Sequence, residues 1–223
     1  MSIIQYLENG KTDESKNLHD TLYDKLLEDI LTRKLQPGSK LTEKRVCDEY
    51  NMSRTPVREA FRQLETEGLI EYIPNRGAFI IGLSQRDIDD ILELRTGCEV
   101  TAVKWAIERI TDEEFAELEE SFEFMEFYTM KNDIDKMTDI NSAFHQIIHN
   151  ATHNPRLIRQ LSSYQTCLKY CKPSNYSIPG YLQAVFEEHR EIFLAFVNRD
   201  VGAGIIAMMD HMENSVRRRT LSK

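Results

Sequence analysis

Two sets of side chains have types and spacings that suit a defined chemistry. Arg54, Arg58 and Arg62 recur every four residues, so on a helix they share one face, where guanidinium groups can bond base edges and phosphates with paired N–H groups. The competing reading is a solvated face paired with Glu59, Glu65 or Glu67, and it carries most weight at Arg62. The second set is His145, His189 and His211, with Asn141 one helical turn ahead of His145. Three imidazoles and an amide oxygen suit zinc or a similar borderline cation, while satisfied core histidines are the alternative that spacing alone leaves open.

The elements that must position the arginines lie between residues 18 and 82. Leu22, Leu26, Leu27, Ile30 and Leu31 recur at helical spacing and predict a first helix from Leu18 to near Leu35, before the turn Pro37-Gly38-Ser39. Thr42 can cap a second helix through Tyr50, and Ser53 a third to about Glu67, closed by Gly68. On that third helix Val57, Ala60, Phe61 and Leu64 form the apolar face, and Arg54, Thr55 and Arg58 sit at the N-terminal end that meets bases in a helix-turn-helix. Leu69 to Ile73 and Ala78 to Ile81 read as a hairpin around Pro74-Asn75-Arg76-Gly77, which makes a wing.

From residue 83 on the pattern is helical throughout. Ser84 with Asp87, and Thr111 with Glu114, signal helix starts. Breaks at Asn132, Asn154-Pro155, Pro173 to Pro179 and Asp200 divide the remainder into six helices, near 84–109, 112–131, 133–152, 155–172, 180–198 and 201–219. His189 lies about nine residues before the last turn and His211 about eleven after it, so an antiparallel hairpin sets them at nearly equal height, offset by roughly 3 Å at 1.5 Å per residue. His149 and His153 continue the four-residue spacing and read as structural. The expected fold is therefore mainly α: a winged helix-turn-helix with a small β-hairpin wing over 18–82, then an all-α antiparallel bundle over 83–220. Residues 1–17 lack periodicity and read as a flexible arm.

The 223 residues carry a net charge of −9, which argues against a polyanionic partner until its distribution is considered. Residues 18–82 hold ten Lys/Arg against eleven Asp/Glu, and the acidity is concentrated after residue 82; DNA contact needs only a local basic face. The longest apolar stretch, about Ile192 to Val197, is far short of the roughly 20 residues of a membrane span, and the polar N-terminus is unlike a signal peptide, so a cytoplasmic location is expected. The four cysteines read as reduced thiols, with Cys167 and Cys171 packing rather than binding metal because no second pair completes a thiolate site.

The runs Pro37-Gly38-Ser39-Lys40-Leu41-Thr42-Glu43-Lys44, Met52-Ser53-Arg54-Thr55-Pro56-Val57-Arg58-Glu59-Ala60 and Leu64-Glu65-Thr66-Glu67-Gly68-Leu69, with the wing Pro74 to Phe79, strongly resemble the GntR family of regulators over about 65 residues. The resemblance implies that Lys44, Arg54 and Arg58 contact bases or flanking phosphates, assisted by Thr55 and by Arg76 and Gly77 at the wing tip. Lys44 stands where many relatives carry arginine. The segments Asn141 to His145, Glu188-His189 and Met208 to His211 resemble the metal-binding form of the FCD ligand-sensing domain in its six-helix variety. This implies a divalent cation, zinc or else nickel or manganese, on Asn141, His145, His189 and His211, where Asn141 replaces the usual aspartate.

A neutral amide leaves such a site near +2 and favours an anionic effector, a small carboxylate, with Arg95 as counter-charge or, on the blander reading, in a surface ion pair. The expected protein is a homodimeric regulator, a repressor, on double-stranded DNA with an inverted repeat. A metal-dependent enzyme built on the three histidines is the alternative; no HExxH or HxxEH pattern supports it.

Overall fold

The computed structural model describes residues 18–74, 76–169 and 180–220. The expected arm at 1–17, Asn75, Cys171 and the break from Pro173 to Pro179 lie outside the described residues. The chain divides into two compact units, one centred on residues 18–89 and the other on residues 90–166 and 180–220. None of the described helices is long and apolar enough to cross a membrane.

In the first unit α1 (Leu18–Leu31), α2 (Glu43–Tyr50) and α3 (Arg54–Thr66) pack with a small sheet of β1 (Lys40–Leu41), β2 (Ile70–Ile73) and β3 (Gly77–Ile80). The periodic leucines of α1 meet Val57, Ala60, Phe61 and Leu64 of α3 in one core, so the apolar stripe of each helix decides its inward face. Helix α1 stops four residues earlier than its apolar pattern suggests. Arg33 takes a left-handed φ of 59°, and the Leu35 N–H turns back to donate to Asp29 C=O at 2.7 Å. Thr42 caps α2 as expected by accepting from the Arg45 N–H, whereas the Ser53 side chain makes no capping bond on α3. Gly68 (φ 73°) closes α3 while Leu69 N–H reaches Leu64 C=O at 2.9 Å.

The wing is antiparallel, with Ile70 opposite Ile80 and Ile73 opposite Gly77. The sheet order is β1-β3-β2. Strand β1 is too short for any alternation to mark it in the sequence; it is recruited by β3, with Lys40 opposite Phe79.

The second unit is built from α4 (Gln85–Arg109), α5 (Asp112–Met130), α6 (Ile134–Ala151), α7 (Pro155–Lys169), α8 (Tyr181–Val197) and α9 (Val201–Thr220). The bounds follow the expected ones to within a residue or two, apart from the end of α7 beside the undescribed segment. The Ser84–Asp87 and Thr111–Glu114 pairs both close reciprocal caps. Three of the turns between helices pass through non-glycine residues with positive φ, Asn132, His153 and Arg199, while Gly180 (φ 80°) heads α8. The core holds Leu118, Met125, Ile140, Phe144, Ile148, Ile192, Phe196 and Met208, and Phe122 stacks on Phe193 at 4.5 Å.

Candidate functional site

The apolar stripe of α6 carries His145 inward between Phe144 and Ile148, and those of α8 and α9 do the same for His189 and His211; the three are buried at 1%, 0% and 5% exposure. Their rings stand 5.4 Å (His145–His189), 5.3 Å (His145–His211) and 4.4 Å (His189–His211) apart. One ligand nitrogen from each lies within 4.8 Å of one from each of the others. Every ring has its Nδ1 engaged: on Val185 C=O at 2.7 Å for His189, on Glu188 Oε2 at 2.9 Å for His211, and facing Glu99 Oε2 at 3.4 Å for His145. Carbonyl and carboxylate oxygens only accept, so Nδ1 carries the proton and Nε2 the lone pair. The buried His189 Nε2 has no hydrogen-bond partner.

Burial pushes the His145 imidazole down to about 4 against the opposing pull of Glu99, and burial followed by His211 and His145 pushes His189 well below the usual histidine range. These rings are neutral at pH 7, the form that binds metal. Asn141, His145 and His211 line a cavity of about 120 Å³ together with Arg95, Thr138, Tyr181, Ser215 and Arg218. Neutral converging imidazoles, an orphaned buried Nε2 and an adjacent amide form a donor set that fits a borderline divalent cation.

Behind the imidazoles stand groups that spacing did not single out. Glu99 is fully buried and accepts from Arg95 through Nε at 3.0 Å and Nη2 at 2.9 Å, and from His149 Nε2 at 2.9 Å. Burial raises its pKa, but His145, His149 and Arg95 more than offset this and hold the carboxyl well below the usual range. Glu99, His145 and His149 thus form a second buried cluster that shares His145 with the first. Across the cavity Arg218 grips Glu188 at 2.6 and 2.7 Å. Arg95, expected as a counter-charge or a surface ion pair, is 14% exposed; its ion pair is with a buried partner, and it also lines the cavity. His149, expected to be structural, is buried and bonds Glu99, and His153 bonds Glu114 at 2.9 Å on the surface. The one available signal for Glu99 was a carboxylate a turn after Arg95 in an otherwise uncharged stretch of α4.

The first unit presents the other set. Arg54, Thr55, Arg58 and Arg62 are exposed along α3, opposite the buried Val57, Ala60, Phe61 and Leu64. Arg58 Nε pairs with Glu43 at 3.0 Å while 62% exposed, and an exposed pair of this kind is weak, so a phosphate or base edge can compete for it. Lys44 is exposed on α2. At the wing Arg76 lies over the Phe79 ring at 5.3 Å, and Gly77 adopts φ 97° with Lys40 Cε only 3.2 Å from where a Cβ would stand.

The family model described as bacterial regulatory proteins, gntR family, matches residues 18–80, and that of the FCD domain matches residues 90–214. The chain belongs to the GntR family and carries an FCD domain. Among relatives of this GntR protein, the uncharacterized HTH-type transcriptional regulator YdhC of Bacillus subtilis is 28% identical over 188 residues, 84% of each chain. The HTH-type transcriptional repressor RspR of Escherichia coli is 27% identical over 199 residues, 88% of this chain and 86% of its own. The solved structure of E. coli McbR/YncC superposes with a TM-score of 0.69 at 21% identity, over 92% of this chain and 98% of that one, and shows the shared fold. The three-histidine cluster therefore lies within the FCD domain, and the arginine face of α3 within the gntR match.

Proposed function

We propose that this GntR protein is a DNA-binding transcriptional repressor whose operator affinity is set by a small carboxylate effector bound at a divalent cation in the FCD domain. Residues 18–82 read DNA through Lys44, Arg54, Thr55, Arg58 and the wing tip at Arg76 and Gly77. Residues 83–220 bind the effector and hold two chains together, so that the readers meet an inverted repeat in the cytoplasm. His145, His189 and His211 with Asn141 hold the cation, zinc ahead of nickel or manganese, and Arg95 faces the effector from the cavity wall. The cation supplies a Lewis-acidic centre for carboxylate oxygens. The effector acts on DNA affinity only through its different affinity for the two arrangements of the readers.

The observation that carries this reading is the meeting of three buried imidazoles beside a cavity that opens to solvent. Among the described residues no carboxylate lines that cavity, so an enzymatic reading would have to use an imidazole as its general base. The test is metal analysis of the purified full chain, followed by gel shift on its genomic inverted repeat with and without a panel of small carboxylic acids. One divalent ion per chain and a carboxylate-dependent change in DNA affinity are expected. A chain that takes up no metal, or turnover of one of the acids, overturns it.

A further inference from the structure

His145 and His211 each stand in front of an arginine–carboxylate pair, one on either side of the cavity. Arg95 occupies Glu99 Oε1 and leaves Oε2 toward His149 and His145. Arg218 occupies both oxygens of Glu188, and Oε2 also accepts from His211 Nδ1 at 2.9 Å. The arginines line the cavity and the carboxylates do not, although the carboxylates lie directly behind the rings. Asn141, which lines the same cavity, is neutral.

We propose that Glu99 and Glu188 are positioning residues for the metal ligands: each holds one histidine in its Nδ1–H tautomer, so that Nε2 presents its lone pair to the cavity, and supplies negative charge from behind the ring. The proposal rests on the metal reading above. A neutral imidazole otherwise divides between two tautomers, and only the Nδ1–H form offers Nε2 to an ion. A carboxylate acceptor selects that form, fixes the ring plane and raises the basicity of the far nitrogen. The arginines fix the carboxylates in turn, since two N–H bonds to a carboxylate leave it little rotation. His189, held by Val185 C=O, receives the orientation without the charge. Two of the three ligands are thus strengthened from behind, in a site whose cavity wall holds no carboxylate among the described residues.

Two readouts on the full chain test this. In metal-free protein, nitrogen NMR of the imidazoles is expected to show Nδ1–H tautomers at His145, His189 and His211, and Glu188→Ala is expected to let His211 populate the other form while His189 stays unchanged. Zinc affinity, measured by competition with a chelator, is expected to fall 10–100-fold in Glu188→Ala. Glu188→Gln keeps an acceptor but no charge and is expected to retain the tautomer while recovering only part of the affinity. Glu99→Gln reports the same for His145; Glu188, being less deeply buried, decides the matter should Glu99→Gln not fold. Unchanged tautomers with zinc affinities within twofold of the parent in Glu188→Ala overturn the proposal. The tautomer readout needs no metal, so failure of the parent to bind zinc sinks the metal reading separately.

Discussion

The imidazoles of His189 and His211 face one another across the α8–α9 hairpin, with ring centroids 4.4 Å apart at an interplanar angle of 69°. Both are buried and neither is alone: His189 Nδ1 bonds its own helix, His211 Nδ1 bonds Glu188 of the neighbouring one, and His189 Nε2 is left without a partner. A buried nitrogen without a partner costs free energy in the metal-free protein, on the order of 1–3 kcal/mol.

That cost has a measurable sign. In chelator-treated protein His189→Leu, which replaces the imidazole with an apolar side chain of similar volume, is expected to be more stable than the parent by about 1 kcal/mol in urea unfolding. With zinc added the order is expected to reverse, because ligand binding stabilises only the chain that still binds it. A variant less stable than the parent in chelator would show that His189 is a core histidine without a ligand role.

Arg58 pairs with Glu43 on the open surface of α3. Its replacement by alanine is expected to leave folding stability nearly unchanged and to weaken operator binding about tenfold to a hundredfold, as loss of a bidentate base contact would. Glu43→Gln removes the competitor and is expected to leave DNA affinity equal or higher. Fluorescence anisotropy at one fixed salt concentration checks both, and an Arg58→Ala chain that binds like the parent would remove α3 from the groove.

Glu114 closes the capping box of α5 and bonds His153 at 2.9 Å. Burial, the largest single influence, raises its carboxyl, and the bonds to Thr111 and His153 together outweigh this and lower it below the usual range. A carboxylate depressed in the folded state contributes stability that is fully present above its unfolded pKa and disappears as pH falls through the folded one. The stability gap between parent and Glu114→Gln, measured in chelator, is therefore expected to be present near neutral pH and to close as pH falls below the unfolded carboxylate range. A gap that persists at pH 3 would assign the effect to shape alone.

Much of the architecture is local and was readable from local signals. Helix starts at Thr42, Ser84 and Thr111, and the hairpin of β2 and β3, depend on side chains within a few residues of the backbone they bond. Where a contact partner is distant the signals fade. Strand β1 exists only because β3 pairs with it, α1 ends where Leu35 turns back to Asp29, and Ser53 heads α3 without bonding it.

The candidate site divides in the same way. Helical spacing and the short α8–α9 turn were enough to bring His145, His189 and His211 toward one interior, since periodicity determines which face of a helix is buried and a hairpin sets the height of its residues. Which nitrogen each ring presents, and that Glu99, His149, Glu188 and Arg218 stand behind them, came from packing between helices whose residues lie between 30 and 50 positions apart in the clearest cases, Glu188–Arg218 and Glu99–His149. Sequence order carries no record of such distances; only the folded bundle brings a carboxylate on one helix against an imidazole on another, and in a buried site that neighbour sets the proton and the charge.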